Sequence, residues 1–213
     1  MKTDDLVTML ATGVTPVPRH AASRSMGLAL LGGGAVSLAM LVFGYGIRRD
    51  VWDVLDLPMF WVKLLFPLCI AVSAGLIVHR LARPGARLQR AWWGLAVPVL
   101  LMLAGAVVSW WGTPEQDRVA SLLGQSWRTC ALNIGLVALP VFVAALLALR
   151  GLAPTRRVWA GAAAGALAGG FGAAVYALYC VEMSAPFVAV WYAVGVLLPT
   201  VAGALVGRRW LVW

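Results

Sequence analysis

The sequence predicts an all-α, polytopic membrane protein with six transmembrane helices and both termini in the cytoplasm. Apolar residues make up 62% of the 213 residues, charged residues make up 12%, and the mean hydropathy is +0.88. These values lie outside the usual range of soluble domains. The chain has room for about six helices of about 20 residues with short connections, and leaves none for a second folded domain. The basic residues are also distributed unequally between the two sides that six spans create.

The chain divides into a tail, a membrane domain and a short end. Residues 1–25 are predicted to form a cytoplasmic N-terminal tail, because charges and prolines stand where a signal peptide needs an apolar core. Residues 26–206 form the membrane domain, and residues 207–213 form a second cytoplasmic tail. The spans are predicted at about 26–47, 59–81, 91–111, 129–149, 158–180 and 187–206.

The net charge of +9 is interpreted as membrane topology and not as a surface for direct nucleic-acid binding. With the N-terminus inside, six spans leave six of the eight acidic residues outside, so only Asp4 and Asp5 lie inside. Five basic residues fall outside and twelve fall inside. The inner twelve are Lys2, Arg19, Arg24, Arg80, Arg83, Arg87, Arg90, Arg150, Arg156, Arg157, Arg208 and Arg209.

The N-terminal tail contains the pattern of a short amphipathic helix. Thr3 suits an N-cap, Asp4 and Asp5 suit the positive end of the helix dipole, and Gly13 is a natural stop. Residues 15–18 contain two prolines and are expected to be extended. A helix this short needs a partner surface, which is either its own membrane or another protein. The apolar side chains of the helix are Leu6, Val7, Met9 and Leu10.

Lys63 lies one turn inside the second span. A lysine there indicates either an ion or proton pathway or a side chain that extends back to Asp53 or Asp56 at the interface. Four spans also contain a central proline, a feature of transporters with broken helices. A small inner-membrane transporter or channel is therefore the alternative function. The four prolines are Pro67, Pro98, Pro140 and Pro199.

The sequence contains no acid/base pair, nucleophile with a base, phosphate loop or metal-ligand cluster, so an enzyme is not expected. Cys69 is expected to be a packing residue inside the second span. Cys130 and Cys180 fall at the outer ends of spans four and five, on the same side. They can form a disulfide, bind a soft metal with Glu182 or Met183 as further ligands, or simply pack.

Several short segments resemble the NrsF family of bacterial membrane anti-sigma factors. The similar segments are Lys2-Thr3-Asp4-Asp5-Leu6 with Leu10 and Pro16-Val17, Trp127-Arg128-Thr129-Cys130, Tyr179-Cys180-Val181-Glu182, and Gly207-Arg208-Arg209-Trp210. Together with the six spans, they extend the resemblance over essentially the whole chain.

The resemblance implies a multi-pass protein of the bacterial inner membrane that holds an extracytoplasmic-function (ECF) sigma factor and releases it on an envelope signal. Membrane lipids are the second expected partner. No resident cofactor is expected beyond a transient heavy-metal ion at the cysteines. The implied sensing residues, which are also the candidate metal ligands, are Cys130 and Cys180. The implied sigma-factor contacts are Asp4, Asp5, Leu6, Leu10, Pro16 and Val17.

Overall fold

The computed structural model describes residues 3–12, 21–82, 91–152 and 154–212. Among these residues there is no strand, and six helices are long and apolar enough to cross a membrane. The predicted all-α class with six candidate spans is therefore confirmed for the described part of the chain. The predicted extended arm, including Pro16 and Val17, lies outside the described residues.

The helices follow one another with short connections. Two of the long helices include a π-helical turn, at Leu41–Tyr45 after α2 and at Val188–Tyr192 between α9 and α10. Such turns are rare, and they often occur beside functional sites. The α-helices are α1 Thr3–Ala11, α2 Ala21–Met40, α3 Val51–Val54, α4 Pro58–Leu81, α5 Ala91–Gly112, α6 Glu115–Leu123, α7 Trp127–Arg150, α8 Arg157–Tyr176, α9 Ala185–Phe187 and α10 Ala193–Trp210.

Three helix ends differ clearly from the predicted bounds. Helix α2 begins at Ala21, before the predicted start of the first span at about residue 26, so the last residues assigned to the tail are helical. Helix α8 ends at Tyr176, so Cys180 lies in the connection to α9 and not at the end of the fifth helix. Hydropathy stays high through Val181, which is why the pattern extends the span beyond the last helical turn. Helix α10 continues to Trp210 and includes Arg208 and Arg209 in its last turn, where cations suit the negative end of the helix dipole.

The six long helices alternate in direction and define two ends of the bundle. At one end, which we call the cysteine end, Tyr45 contacts Asn133 and the Cys180 region contacts Arg48 and Lys63. The opposite end, which we call the arginine end, carries seven of the described arginines. They are Arg24, Arg80, Arg150, Arg156, Arg157, Arg208 and Arg209.

Helix α8 is the centre of the bundle and contacts α4, α7 and α10, while α2 packs on α7 and α5 packs on α4. A Cβ atom on Gly161 would collide with the carbonyl oxygen of Gly203, and one on Gly165 would collide with that of Pro199. Glycines spaced at intervals of four on α8 thus admit a close neighbouring helix, which is α10.

Other glycines of α8 allow close packing on its remaining sides. Gly170 lies against the backbone of Pro67 and Ala71 on α4, and Gly172 lies against Ala138 on α7. Helix α8 is therefore held by backbone contact on three sides, whereas the four predicted mid-helix prolines are accommodated within α4, α5, α7 and α10.

Candidate functional site

Helix α1 exposes its whole apolar face. Asp4 and Asp5 lie in its first turn, as predicted, and no residue of the helix is buried. The Thr8 hydroxyl donates to the carbonyl of Asp4 at 2.9 Å, which adds a local bond within the helix. The exposed apolar side chains are Leu6 at 38%, Val7 at 59%, Met9 at 62% and Leu10 at 66%.

The two predicted sensing cysteines are brought together. Cys130 lies in the first turn of α7 and is fully buried, and Cys180 is only 3% exposed. Their thiol groups are in hydrogen-bonding contact, and both are free rather than joined in a disulfide. The structure therefore places two reduced thiols side by side at the cysteine end.

Cys180 belongs to a connection between α8 and α9, residues 177–184, which we call the cysteine loop. The first residues of this loop continue a turn, since the amide of Cys180 donates to the carbonyl of Tyr176 at 3.0 Å. From Cys180 to Ser184 the backbone is no longer helical. Its carbonyl groups therefore need partners other than those of an α-helix.

Lys63 supplies such partners. Its ammonium donates to the carbonyl of Cys180 at 2.5 Å and to that of Glu182 at 2.8 Å, and it lies 5.7 Å from the centre of the Tyr192 ring. The side chain is fully buried. The prediction that Lys63 extends back to Asp53 or Asp56 is therefore wrong. The unpaired carbonyls of the cysteine loop lie within reach inside the bundle, so the ammonium is satisfied there.

Arg48 is a site residue that the sequence pattern did not reveal. It forms a two-pronged ion pair with Asp50, at 2.8 and 2.7 Å, and its Nη1 donates to the carbonyl of Cys180 at 3.4 Å. The hydrogen bond from Arg48 lowers the pKa of the Asp50 carboxyl. The adjacent Arg48 and Asp50 in a short loop were a weak signal, because such pairs are common at surfaces.

Glu182 and Ser184 tie the cysteine loop to α6. A carboxylate oxygen of Glu182 accepts from the amide of Gln125 at 2.7 Å, and the Ser184 hydroxyl donates to the carbonyl of Ser121 at 2.6 Å. Nearby, the indole of Trp191 donates to the carbonyl of Leu122 at 3.0 Å. The short helix α6, which lies between the third and fourth spans, is thus attached to the loop that carries Cys180.

The candidate metal ligands are fewer than the sequence suggested. Glu182 uses its carboxylate on Gln125 and its carbonyl on Lys63. Among the residues that the structure describes, no group of three or more His, Cys, Asp or Glu side chains converges on a point that could hold a metal ion. Cys130 and Cys180 alone form a two-thiol site, which suits a soft metal that accepts two sulfur ligands.

Cys180 borders a cavity of about 490 Å³ at the cysteine end. Its walls include the rings of Tyr45, Tyr176 and Tyr179 together with Arg48. The Tyr45 hydroxyl donates to Asn133 at 3.2 Å, and the Asn133 amide donates to the Tyr176 hydroxyl at 3.3 Å. A polar, aromatic wall therefore separates the buried thiols from the outside.

The surroundings favour the thiolate form of Cys180. The hydrogen bond from Cys130 lowers the pKa of the Cys180 thiol, burial opposes this effect, and the charge of Lys63 lowers the pKa further. A thiolate is the form that binds metals and attacks electrophiles.

Cys69 lies apart from this pair. It is exposed on the outward face of α4 and lines a cleft beside Trp93 and Pro98, so the expectation that it is a packing residue is wrong.

Comparisons with known proteins identify the family of the chain. A family model described as negative regulator of sigma F, NrsF, matches residues 10–213. The chain is 40% identical over 213 residues to a protein of Azospira oryzae named probable anti-sigma-F factor NrsF. It is 37% identical over 219 residues to the anti-sigma-F factor NrsF of Caulobacter vibrioides. Both alignments cover 100% of both chains. No solved structure matches. The chain therefore belongs to the NrsF family, whose members are described as negative regulators of sigma F, a regulatory and not an enzymatic class.

Proposed function

We propose that this protein is an anti-sigma factor of the bacterial inner membrane that binds an ECF sigma factor through its N-terminal tail. The observation that carries the proposal is the fully exposed apolar face of α1 next to two carboxylates. Such a face is typical of a helix that folds onto a partner groove. Membership of a family of sigma-F regulators supplies the class of partner.

The size of the apolar face fits reversible binding. Burying Leu6, Val7, Met9 and Leu10 contributes on the order of 6 to 12 kcal/mol. Ordering the peptide opposes this by about 2 to 5 kcal/mol, and association itself has a further cost. The tail is therefore a weak ligand by itself, and residues 13–20, which include Pro16 and Val17, are proposed to extend the contact.

Membrane orientation follows from the charges at the two ends of the bundle. Seven described arginines lie at the arginine end, and six of the eight carboxylates of the chain lie near the cysteine end. The positive-inside rule supports an arginine end in the cytoplasm, on the same side as the tail. Cys130 and Cys180 then face the oxidising side of the membrane.

Cys130 and Cys180 are the proposed sensor of an envelope signal. A soft metal ion can bridge the two sulfurs with release of thiol protons. Alternatively, an oxidant accepts two electrons and two protons from the pair, and a sulfur–sulfur bond forms. Either event moves the cysteine loop relative to α7 and alters the contacts of Lys63, Glu182 and Ser184. The contacts of Lys63 with this loop favour a structural role over an ion pathway, and so favour the anti-sigma function over the transporter alternative.

Replacing Leu6 and Leu10 by Asp tests the proposed tail contact. The charges make burial of the α1 face costly, so transcription from promoters of the cognate sigma factor is expected to rise to the level of a strain without the anti-sigma gene. The measurement is a promoter reporter, with the protein level in membranes checked in parallel. Thr8→Asp is the matched control, because Thr8 lies on roughly the opposite side of the helix. Unchanged transcription in the double variant would contradict the proposal.

A further inference from the structure

Three hydrogen bonds from two side chains converge on two carbonyl groups of the cysteine loop. The Lys63 ammonium donates to the carbonyls of Cys180 and Glu182, and Arg48 donates to the carbonyl of Cys180. The two carbonyls that accept from Lys63 stand at the beginning and at the end of the short segment in which the chain changes direction after Cys180. The sulfur of Cys180 therefore depends for its position on a loop that is held from α4.

The burial of Lys63 is costly and needs a physical reason. A charged side chain inside a span is unfavourable, and an aliphatic residue would fill the same space at less cost. In the described part of the chain, Lys63 forms no ion pair with a carboxylate. Its interactions are with the two loop carbonyls, the thiol of Cys180 and the ring of Tyr192. All the contacts that offset its burial thus surround Cys180.

We propose that Lys63 is the positioning residue of the thiol pair: it fixes the cysteine loop so that the thiol of Cys180 stays against that of Cys130. The inference rests on the proposed sensing role of the pair and adds how the pair is kept ready to react. Two thiols held in contact bridge quickly, because the second bond-forming step is intramolecular. Without the lysine, the loop carbonyls lose their donor and the loop has no fixed position relative to α7.

The first test measures how fast the two thiols bridge in the full-length protein in native membranes, with Cys69 replaced by Ser. Diamide serves as the oxidant: its azo group takes two electrons and two protons and becomes a hydrazine, while the sulfur–sulfur bond forms. Remaining thiols are counted by a gel shift with a maleimide polymer. Lys63→Met is expected to slow bridging ~10- to 100-fold, as misplacement of reacting groups by about 1 Å does.

Two further variants separate position from packing. Lys63→Arg keeps donors for the loop carbonyls, and bridging is expected to stay within ~3-fold of the parent rate. Ile77→Ala removes a buried side chain at the other end of α4, and bridging is expected to stay unchanged within ~2-fold, because the cavity lies far from the thiols. Slowing in Ile77→Ala equal to that in Lys63→Met would show general loosening and would overturn the proposal.

A second measurement separates position from chemical reactivity. In a Cys130→Ser background, alkylation of Cys180 by N-ethylmaleimide is bimolecular and needs no partner thiol. Bridging and alkylation are compared at a pH that ionises the thiols of the parent and of Lys63→Met alike, so that the effect of the Lys63 charge on the pKa of Cys180 no longer contributes. Under that condition, Lys63→Met is expected to leave the alkylation rate unchanged or to raise it, since the loop opens. If alkylation slows by the same factor as bridging, Lys63 acts on the thiol itself and the positioning proposal fails. Unchanged bridging in Lys63→Met also overturns it.

If Lys63→Met does not accumulate in membranes, Arg48→Met provides the same test from outside the span, with an expected slowing of ~2- to 5-fold. An unchanged rate in that variant then counts against the proposal. None of these rates depends on the sigma factor. A failure of the thiol pair to signal in cells would therefore contradict the proposed sensing role and would leave the bridging rates to decide the role of Lys63.

Discussion

Cys130 and Cys180 differ in how a reagent reaches them. Cys180 lines the outer cavity and lies next to Lys63 and Arg48, whereas Cys130 is fully buried in the first turn of α7. A reagent entering from the cysteine end is therefore expected to meet Cys180 first, and Cys130 is expected to complete the reaction. At the scale of single residues, we propose that the pair acts as one reacting unit in which both sulfurs are needed.

Changing Cys130 and Cys180 together to Ser is expected to abolish induction of the sigma-dependent promoter by a thiol-reactive metal such as cadmium. Basal repression should remain, because neither cysteine contacts α1 and serine differs little in size. The measurement is the reporter response over a range of metal concentrations. Cys69→Ser is the control and should respond like the parent protein, since Cys69 is exposed on the outward face of α4. Induction that survives in the double variant would contradict the sensing role.

At the scale of elements, α8 is held in place by its neighbouring helices, whereas the cysteine loop is the part that can move. Helix α8 is in backbone contact with α10, α4 and α7 through Gly161, Gly165, Gly170 and Gly172. A packed interface of this kind cannot slide by small amounts. The loop after it is held by a few hydrogen bonds to α4 and α6, so a change at the thiols is expected to reach those two helices first.

Gly165→Ala is expected to destabilise the bundle by about 1 to 3 kcal/mol, because the added Cβ collides with the carbonyl of Pro199. The measurement is the midpoint of thermal aggregation of the detergent-purified protein. Gly105→Ala is the matched control, as no atom lies within 4 Å of its added Cβ. There the change is expected to be neutral or stabilising by about 0.5 to 1 kcal/mol. Equal behaviour of the two variants would refute the close packing of α8 on α10.

Hydropathy and residue spacing predicted the six long helices of the bundle and the short helix of the tail, because these features depend on residues close in sequence. The partners of Lys63 were not predictable in this way. Cys180 lies 117 residues further along the chain, and its carbonyl is available only because α8 ends at Tyr176. A polarity pattern identifies side chains and does not show which backbone groups are left without partners.

The same limit applies to the π-helical turn at Val188–Tyr192, which sets the position of the Tyr192 ring beside Lys63. Its residues are apolar and continue the predicted span, so nothing in the hydropathy pattern marks the change of helix type. The two thiols, by contrast, were correctly predicted to lie on the same side, because alternating spans fix which helix ends meet.

At the scale of the whole molecule, the proposed orientation separates signal and response. The thiols lie at the cysteine end, and the tail joins the bundle at the arginine end, where α2 begins. A signal at the cysteines must therefore cross the membrane through the long helices to affect the tail. Sensing outside and sigma-factor binding inside therefore both require that the cysteine end faces outward and the arginine end faces the cytoplasm.

Single cysteines at the two ends test the orientation in a protein without other cysteines. Arg49→Cys at the cysteine end is expected to react with a membrane-impermeant maleimide in intact spheroplasts. Arg209→Cys at the arginine end is expected to react only after the membrane is opened. Both positions are exposed, so access and not burial determines the labelling. Labelling of Arg209→Cys in closed spheroplasts would show that the arginine end lies outside and would contradict the proposed orientation.

The most direct measurement of the central claim is binding of the purified sigma factor to inside-out membrane vesicles that contain the protein, followed by co-sedimentation. The sigma factor is expected to sediment with parent vesicles and with Thr8→Asp vesicles, and to stay in solution with the Leu6→Asp, Leu10→Asp variant. Release from parent vesicles is expected when diamide, which crosses the membrane, takes two electrons and two protons from Cys130 and Cys180 and a sulfur–sulfur bond forms between them. Binding that is equal for the parent and the double aspartate variant would contradict the claim that α1 holds the sigma factor.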